Sequence, residues 1–174
     1  MEQHIADLLK HPKVVETRYH LHHRIAKYDH LMRSVRFSLR FARLLGADER
    51  ICVRAALIHD IDSRYGTLAN HGAIAARWAA EQGECEQVQA AIISHMFPLG
   101  GPAPTTREAW VLALADKAAS LGDLRQYLRG LATGESQAMH RRLRTSDPFY
   151  RARPKLRHRL RPRMRASRNA LTGD

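Results

Sequence analysis

The sequence predicts an all-α protein built as a single helical bundle. Apolar residues recur at steps of three and four positions in five or more stretches, and short turn-rich segments separate these stretches. The chain contains no sustained strand alternation, and its β-branched residues do not cluster. A length of 174 residues is enough to bury one substantial core. These observations favour several helices packed around one core.

The first two helices are predicted from their caps and apolar spacing. In DHLMRSVRFSLRFARLLG the apolar residues fall on one face, with Asp29 as the N-cap and Gly46 as the natural stop. The next helix is expected from Asp48, again a capping residue, to His59.

The remaining helices follow the turn-rich loop DIDSRYGTLAN. HGAIAARWAAEQG and CEQVQAAIISHMF are predicted as helices, the first ending at Gly83 and the second broken by PLGGPAP. TTREAWVLALADKAASL is predicted to begin with Thr105 or Thr106 as cap and Glu108 in the first turn. DLRQYLRGLATG is expected to form a further helix.

The net charge of +12 belongs to the C-terminal end of the chain. Between Arg141 and Asp174 there are 12 lysines and arginines against 2 acidic residues, whereas the other 140 residues hold 17 and 15. Beyond about Pro148 the apolar period disappears, and RARPKLRHRLRPRMRASRN is a low-complexity basic segment. The predicted division is an N-terminal helical segment (1–27), a bundle domain (28–147) and a basic, arginine-rich tail (148–174).

The tail has two interpretations. Its basic residues could contact a nucleic acid, with an affinity that falls as salt rises, or the segment could be a solvated extension. Aromatic residues are almost absent after Tyr150, so stacking of bases on the tail is not expected.

Cysteine content and hydropathy predict a cytoplasmic protein without a membrane partner. Cys52 and Cys85 lie far apart and do not form a disulfide framework, which favours a reducing compartment. The N-terminal MEQHIADLLKHPKVVE lacks the pattern of a signal peptide, and no stretch approaches the ~20 apolar residues of a membrane span.

Six polar residues interrupt helix ends or apolar faces of the predicted bundle. Each alone could be an ordinary helix-end or surface residue, but six in one all-α domain favour a shared site. Imidazole and carboxylate groups together suit Mn, Fe, Co, Ni or Zn, with Mg also admitted, and a cation would compensate the buried carboxylates. In chain order the six are His30, His59, Asp60, His71, His95 and Asp116.

Five segments carry a family resemblance. YDHLMRSVRFSLRFARLLG, AALIHDI, NHGAIAARWA, IISHMFPL and AWVLALADKAASL follow one another in this order. The order, over residues 28 to about 125, resembles the HD-domain superfamily of metal-dependent phosphohydrolases, and it is most similar to the small stand-alone bacterial HD proteins. The resemblance implies an HD-domain-like helical bundle.

The resemblance also implies how the ligands divide. The superfamily's core metal ligands carry over to His30, His59, Asp60 and Asp116. Two-metal branches add two histidines, whose places here are taken by His71 and His95. One ion could be held by the core ligands alone. With two ions Asp60 would bridge them, and the ligand count favours two.

The activity implied is cleavage of a phosphate ester or anhydride by a metal-activated water, with phosphodiesters included. The expected substrate is a small nucleotide-like phosphate, and Asp60 and His59 are the expected catalytic residues. The Gly-Tyr-Pro motif of the cyclic-dinucleotide branch is missing, so that substrate is not expected.

Four basic residues near the expected ligands are candidates for binding the substrate phosphate, with a solvated side chain as the alternative for each. Lys117 follows Asp116, and Arg64 leaves the loop after the His-Asp pair. Superfamily members often continue that pair with a small residue and then lysine, whereas this chain offers Asp62, Ser63 and Arg64. Lys27 and His23 precede the first ligand histidine.

A second class of function remains open from sequence. An HD bundle could serve as a nucleic-acid-binding or scaffolding protein with a structural metal. Other catalytic motifs are missing, because the chain has no Gly-x-Ser-x-Gly elbow, no phosphate loop and no CxxC pair. The oligomeric state is not predicted.

Overall fold

The computed structural model describes residues 1–22 and 25–147, and they form a helical bundle. The helices are α1 (Glu2–Leu9), α2 (Pro12–Glu16), α3 (Lys27–Leu45), α4 (Glu49–Ile58), α5 (His71–Glu81), α6 (Glu86–Ser94), α7 (Arg107–Thr133) and α8 (Glu135–Ser146). Two short 3₁₀ turns span Thr17–Tyr19 and Ser63–Tyr65. The predicted all-α class is confirmed.

The core lies where α3, α4, α6 and α7 meet. α3 packs against both α4 and α7, while α6 packs against α4, α5 and α7. Leu31, Leu57, Ile92 and Leu112 are fully excluded from solvent at this junction. Each such side chain contributes roughly 1.5–3 kcal/mol through burial, so packing rather than helix propensity holds the elements together.

The ends of α3 only partly match the sequence prediction. Gly46 ends the helix in the left-handed conformation at φ 62°, as predicted. The start was predicted wrongly, because Ala26 is the N-cap and Asp29 lies inside the first turn. Asp29 still favours the helix there, since a carboxylate is stabilised by the positive end of the helix dipole.

Two predicted caps are confirmed. The Asp48 carboxylate accepts a hydrogen bond from the Ile51 amide at 3.0 Å, and α4 begins one residue after Asp48. The hydroxyl of Thr106, rather than Thr105, accepts from the Ala109 amide at 3.2 Å.

The segment predicted as two helices after Thr106 is a single helix, α7. Gly122 falls between the two predicted helices, yet it lies in the interior of this 27-residue element. A Cβ at Gly122 would lie 2.5 Å from the Cδ atom of Arg33 on α3. The packing of α7 against α3 therefore requires a residue without a side chain at position 122. This requirement outweighs the weak helix propensity of glycine.

A small hairpin and α8 were not predicted. Strands β1 (Leu21–His22) and β2 (Ile25–Ala26) pair in antiparallel register, Leu21 with Ala26, and are too short to show alternation. After α8, the Asp147 carboxylate accepts from the Leu21 amide at 3.3 Å, which ties the end of α8 to the hairpin. The basic tail (148–174) lies outside the described residues, so the predicted boundary at 148 stays a prediction.

None of the helices in the described part of the chain combines the length and apolarity needed to cross a bilayer.

The N-terminal segment is joined to the bundle by Arg54 of α4. Its guanidinium donates to the Asp7 carboxylate at 2.8 and 2.9 Å, to the Glu84 carboxylate at 2.9 Å and to the His4 carbonyl at 2.7 Å. The Glu84 side chain is only 5% exposed, so its charge depends on this partner.

Replacement of Arg54 by glutamine is expected to lower the free energy of unfolding by about 3–5 kcal/mol, because it leaves the Glu84 carboxylate buried without its partner. Urea denaturation of the full chain measures the loss. The matched control is Arg50→Gln, which changes an exposed arginine of the same helix and should stay within about 0.5 kcal/mol of the parent. Equal effects of the two substitutions would contradict this role of Arg54.

Candidate metal centre

The fold brings all six predicted ligand residues to one point inside the bundle. Five helices supply them, either within the helix or at its end. None of the six is more than 8% exposed. They are His30 on α3, His59 and Asp60 directly after α4, His71 at the start of α5, His95 at the end of α6 and Asp116 within α7.

The first of two contact groups forms around Asp116. Its Oδ1 atom lies 3.2 Å from the Nε2 of His30 and 3.5 Å from the Nε2 of His59. The two imidazole Nε2 atoms are 3.4 Å apart. One carboxylate oxygen and two ring nitrogens thus face a common centre.

The second contact group forms around Asp60. Its Oδ1 atom lies 3.4 Å from the Nε2 of His71 and 3.9 Å from the Nε2 of His95. The Nε2 atoms of these two histidines are 3.0 Å apart. Ligand atoms of Asp60 also lie within 4.8 Å of those of His30 and His59, so its carboxylate lies between the two groups.

The other ring nitrogen of each histidine faces a hydrogen-bond acceptor. Carbonyl oxygens of Ala56, Thr67 and Ile92 accept from the Nδ1 atoms of His59, His71 and His95 at 2.9, 2.8 and 2.6 Å respectively. The Asp123 carboxylate lies 2.6 Å from the Nδ1 of His30. A carbonyl oxygen can only accept, so Nδ1 carries the proton in these rings and Nε2 keeps a free lone pair.

Lone pairs and carboxylate oxygens therefore meet in a buried space that requires positive charge. A second proton on the rings is one source, but burial lowers the pKa of His95 to about 3, which leaves that ring neutral at neutral pH. A divalent cation is the other source. The residues fit one, because imidazole nitrogens and carboxylate oxygens are the usual ligands of such ions and their free atoms already converge.

Both carboxylates remain ionised at this point. Burial acts to raise the pKa of Asp60, but positive charge on His59, His22 and Lys27 outweighs it and holds that pKa well below its usual range. Burial likewise acts to raise the pKa of Asp116, and the imidazoles of His30 and His59 hold it well below the usual range when their Nε2 atoms carry protons. A cation bound by the Nε2 lone pairs would lower both pKa values in the same way. The centre thus presents permanent negative charge to a cation.

A cavity of about 650 Å³ opens beside the cluster. Asp60, His71, His95 and Asp116 face it from the metal-centre side. The remaining walls are polar and aliphatic, supplied by His22, Ser63, Gly66, Thr67, Leu68, Met96, Leu99, Lys117, Ser120 and Leu121. A volume in this range fits a small-molecule ligand.

Among the residues predicted to contact the substrate and described in the structure, Lys117 lines this cavity. Its ammonium group lies 3.3 Å from the Oδ2 of Asp116 and also donates to the carbonyl of His95. It therefore places one positive charge at the edge of the metal centre.

Two other predicted substrate residues do not line the cavity. The buried Lys27 donates to the carbonyl of Asp60 at 3.0 Å and to the hydroxyl of Ser63 at 2.7 Å, so it supports the loop that carries Asp60. Arg64 pairs with the Asp147 carboxylate at 2.8 Å. His23 lies outside the described residues, so its predicted role stays a prediction.

Two residues of the site were missing from the predicted ligand set. His22 places its Nδ1 3.3 Å from the Oδ2 of Asp60, and its ring stacks on His30 with centroids 4.4 Å apart. Asp123 holds His30 as described above. It lies seven residues after Asp116, two turns along the same helix face. This signal was missed because the two aspartates were predicted to lie in separate helices.

Comparison with known proteins agrees with this architecture. The chain belongs to the HD domain family, whose match covers residues 28–121, more than half of the chain. Membership confirms the resemblance and places the chain in a superfamily of metal-dependent phosphohydrolases. Ribonuclease Y of Thermobifida fusca (strain YX) is 34% identical over 101 residues, which are 55% of this chain and 20% of that protein. The chain thus spans about a fifth of that relative's length, and no solved structure matches the chain.

The second contact group depends on a close approach between α5 and α6 at Gly72. A Cβ at this position would lie 2.9 Å from the carbonyl oxygen of Ile92 and 3.4 Å from the Nδ1 of His95. The backbone of α6 cannot yield as a flexible side chain would. Glycine here lets His71 and His95 approach each other.

Replacement of Gly72 by alanine is expected to lower the free energy of unfolding by about 1–3 kcal/mol, because the added methyl group overpacks the α5–α6 contact. Helix propensity alone predicts the opposite sign, a gain of about 1 kcal/mol. Thermal and urea unfolding decide between them. As a control, Ala73→Gly at the neighbouring exposed position reports the effect of helix propensity alone on the free energy of unfolding. A Gly72→Ala protein more stable than the parent would overturn the packing argument.

Proposed function

We propose that this protein hydrolyses a phosphate ester or anhydride of a nucleotide-like small molecule, with two divalent metal ions as cofactors. The observation that carries the proposal is the convergence of four imidazole Nε2 atoms and two carboxylates beside a cavity of small-molecule size. His30, His59 and Asp116 would hold one ion, and Asp60, His71 and His95 the other. Bound ions of this kind lower the pKa of water and neutralise phosphoryl oxygens.

The protein's own groups prepare the site for this chemistry. Asp60 belongs to the second contact group, and its carboxylate also lies within 4.8 Å of ligand nitrogens of His30 and His59. His59 precedes it with its ring fixed by the carbonyl of Ala56. These two are the proposed catalytic residues. Both side chains are buried at the end of α4, and the His59 ring is held by a backbone carbonyl, so little reorganisation of the two is needed during a reaction.

The cavity walls favour a substrate with a phosphate group and an organic part. Lys117 offers a cation to a phosphate near Asp116, while Leu68, Leu99 and Leu121 offer aliphatic surface on other walls. No aromatic side chain apart from the histidine rings lines this cavity among residues 1–22 and 25–147. A base or other flat group would therefore pack on aliphatic side chains rather than stack on a Phe, Tyr or Trp ring.

An RNA phosphodiester is a second candidate substrate. The match to a protein named ribonuclease Y favours it, although the alignment covers a fifth of that protein. The basic tail predicted from sequence would assist binding of such a polyanion. The non-catalytic alternative, a nucleic-acid-binding or scaffolding bundle with a structural metal, predicts binding without turnover.

Substitution of Asp60 by asparagine is expected to lower the hydrolysis rate by more than about a hundredfold, because even residues behind metal ligands typically contribute 10–100-fold. Hydrolysis is followed as phosphate or diphosphate released from nucleotides, as the alcohol released from model phosphodiesters, and as shortening of a short RNA, each with Mn²⁺, Co²⁺, Ni²⁺, Zn²⁺ or Mg²⁺. The control is Asp62→Asn in the same loop, where the carboxylate pairs with Lys13. Unchanged turnover in Asp60→Asn, or no turnover by the parent on any substrate, would reject the proposed activity.

Asp123 is proposed as a positioning residue for His30. Asp123→Asn is expected to weaken Mn²⁺ binding by roughly 10–100-fold, because the Nδ1 proton loses its carboxylate acceptor. Titration calorimetry measures the affinity, and ¹⁵N NMR of the imidazoles reports the tautomer of His30. Asp123→Glu should recover part of the affinity, and Glu86→Gln, an exposed site on α6, should not alter it. An unchanged His30 tautomer in Asp123→Asn would refute the assignment.

A further inference from the structure

A second cavity, separate from the metal centre, lies between α3 and the C-terminal half of α7. It has a volume of about 510 Å³ and shares no lining residue with the cavity beside the metal centre. We call it the arginine groove. It is lined by Arg33, Arg36, Phe37, Arg40, Gly122, Arg125, Gln126, Arg129, Gly130, Thr133 and Glu135.

The helical repeat builds the groove from both sides. On α3, Arg33, Arg36 and Arg40 are spaced by three and four residues and therefore share a face. On α7, Arg125 and Arg129 are spaced by four and share the facing side. The two faces meet because α3 and α7 pack against each other.

Most of this positive charge has no compensation within the described part of the chain. Arg33 pairs with the Asp123 carboxylate and donates to the side chain of Gln126. The other four arginines form no ion pair with a carboxylate among residues 1–22 and 25–147, and Glu135 is the one acidic residue lining the groove. The four are Arg36, Arg40, Arg125 and Arg129.

The pattern differs from that of arginines elsewhere in the bundle. Arg43 pairs with Glu49, Arg54 with Asp7 and Glu84, and Arg64 with Asp147. The basic tail does not supply the missing negative charge, because the sequence after residue 147 has nine lysines and arginines and one acidic residue. Several guanidinium groups around one cavity repel each other unless an anion lies between them.

We propose that the arginine groove binds a compact anion that carries two or more phosphate groups. Guanidinium groups recognise phosphate through paired N–H donors, and arginines on two facing helices can contact neighbouring phosphates from both sides. The volume lies in the range of small-ligand pockets, which favours a compact molecule over an extended polyanion. Phe37 adds an aromatic surface for an organic part of the ligand.

Tripolyphosphate is the probe for the test, with the full chain freed of metal on a chelating resin so that the metal centre does not bind it. Titration calorimetry is expected to show binding by the parent and a loss of roughly tenfold or more in Arg40→Gln/Arg125→Gln, since hydrogen bonds to charged groups are among the strong ones. The control, Arg50→Gln/Arg77→Gln, removes two exposed arginines from α4 and α5 and leaves the tail intact. Its affinity should stay within about twofold of the parent.

Two outcomes would overturn the proposal. One is an equal loss in both double variants, which would mean that only total charge matters. The other is no binding of tripolyphosphate by the parent; groove-dependent binding of a single-stranded oligonucleotide in that case would assign the groove to an extended nucleic acid. Turnover of the model phosphate esters should be unchanged in Arg40→Gln/Arg125→Gln, so this test is independent of the proposed activity.

Discussion

The fixed tautomer of four buried histidines is the constraint on which the centre depends. Each Nδ1 proton is donated to an acceptor, so each Nε2 lone pair must point the other way, toward the middle of the bundle. Two of the acceptors come from helix ends, because His59 and His95 follow the last turns of α4 and α6 and bond the carbonyls three residues earlier. Carbonyls in a last turn lack the amide partner four residues later, so each imidazole N–H finds an acceptor there, and the Ile92 carbonyl also accepts from the His95 amide at 3.4 Å.

His30 shows what happens where no free carbonyl exists. It lies in the first turn of α3, whose carbonyls are used by the helix itself, and a carboxylate from α7 takes their place. That carboxylate is buried as well and pairs with Arg33, so orientation of one imidazole requires a chain of charged groups across two helices. Such an arrangement costs stability and persists where function compensates for it.

Most of the fold and much of the centre could be predicted from local signals. Caps such as Asp48 and Gly46 act within a few residues, and the six candidate ligands were recognisable because each interrupts an apolar face or helix end. What could not be predicted depends on tertiary contacts. The continuity of α7 through Gly122 requires Arg33 from another helix, and the burial of Lys27 requires the loop after α4. Arg64 points to Asp147, 83 residues away, a pairing that no local pattern encodes.

Because α7 is one uninterrupted helix, it limits where the protein can accept insertions and deletions. Asp116 and Asp123 approach opposite nitrogens of one imidazole ring from positions seven residues apart, about 10 Å along the helix axis. One inserted or deleted residue between them would rotate one carboxylate by about 100° relative to the other and detach it from the ring. The loop from Pro98 to Thr105 carries no such paired contact to His30, so variation in length among natural homologues should collect there and avoid the span from Asp116 to Asp123.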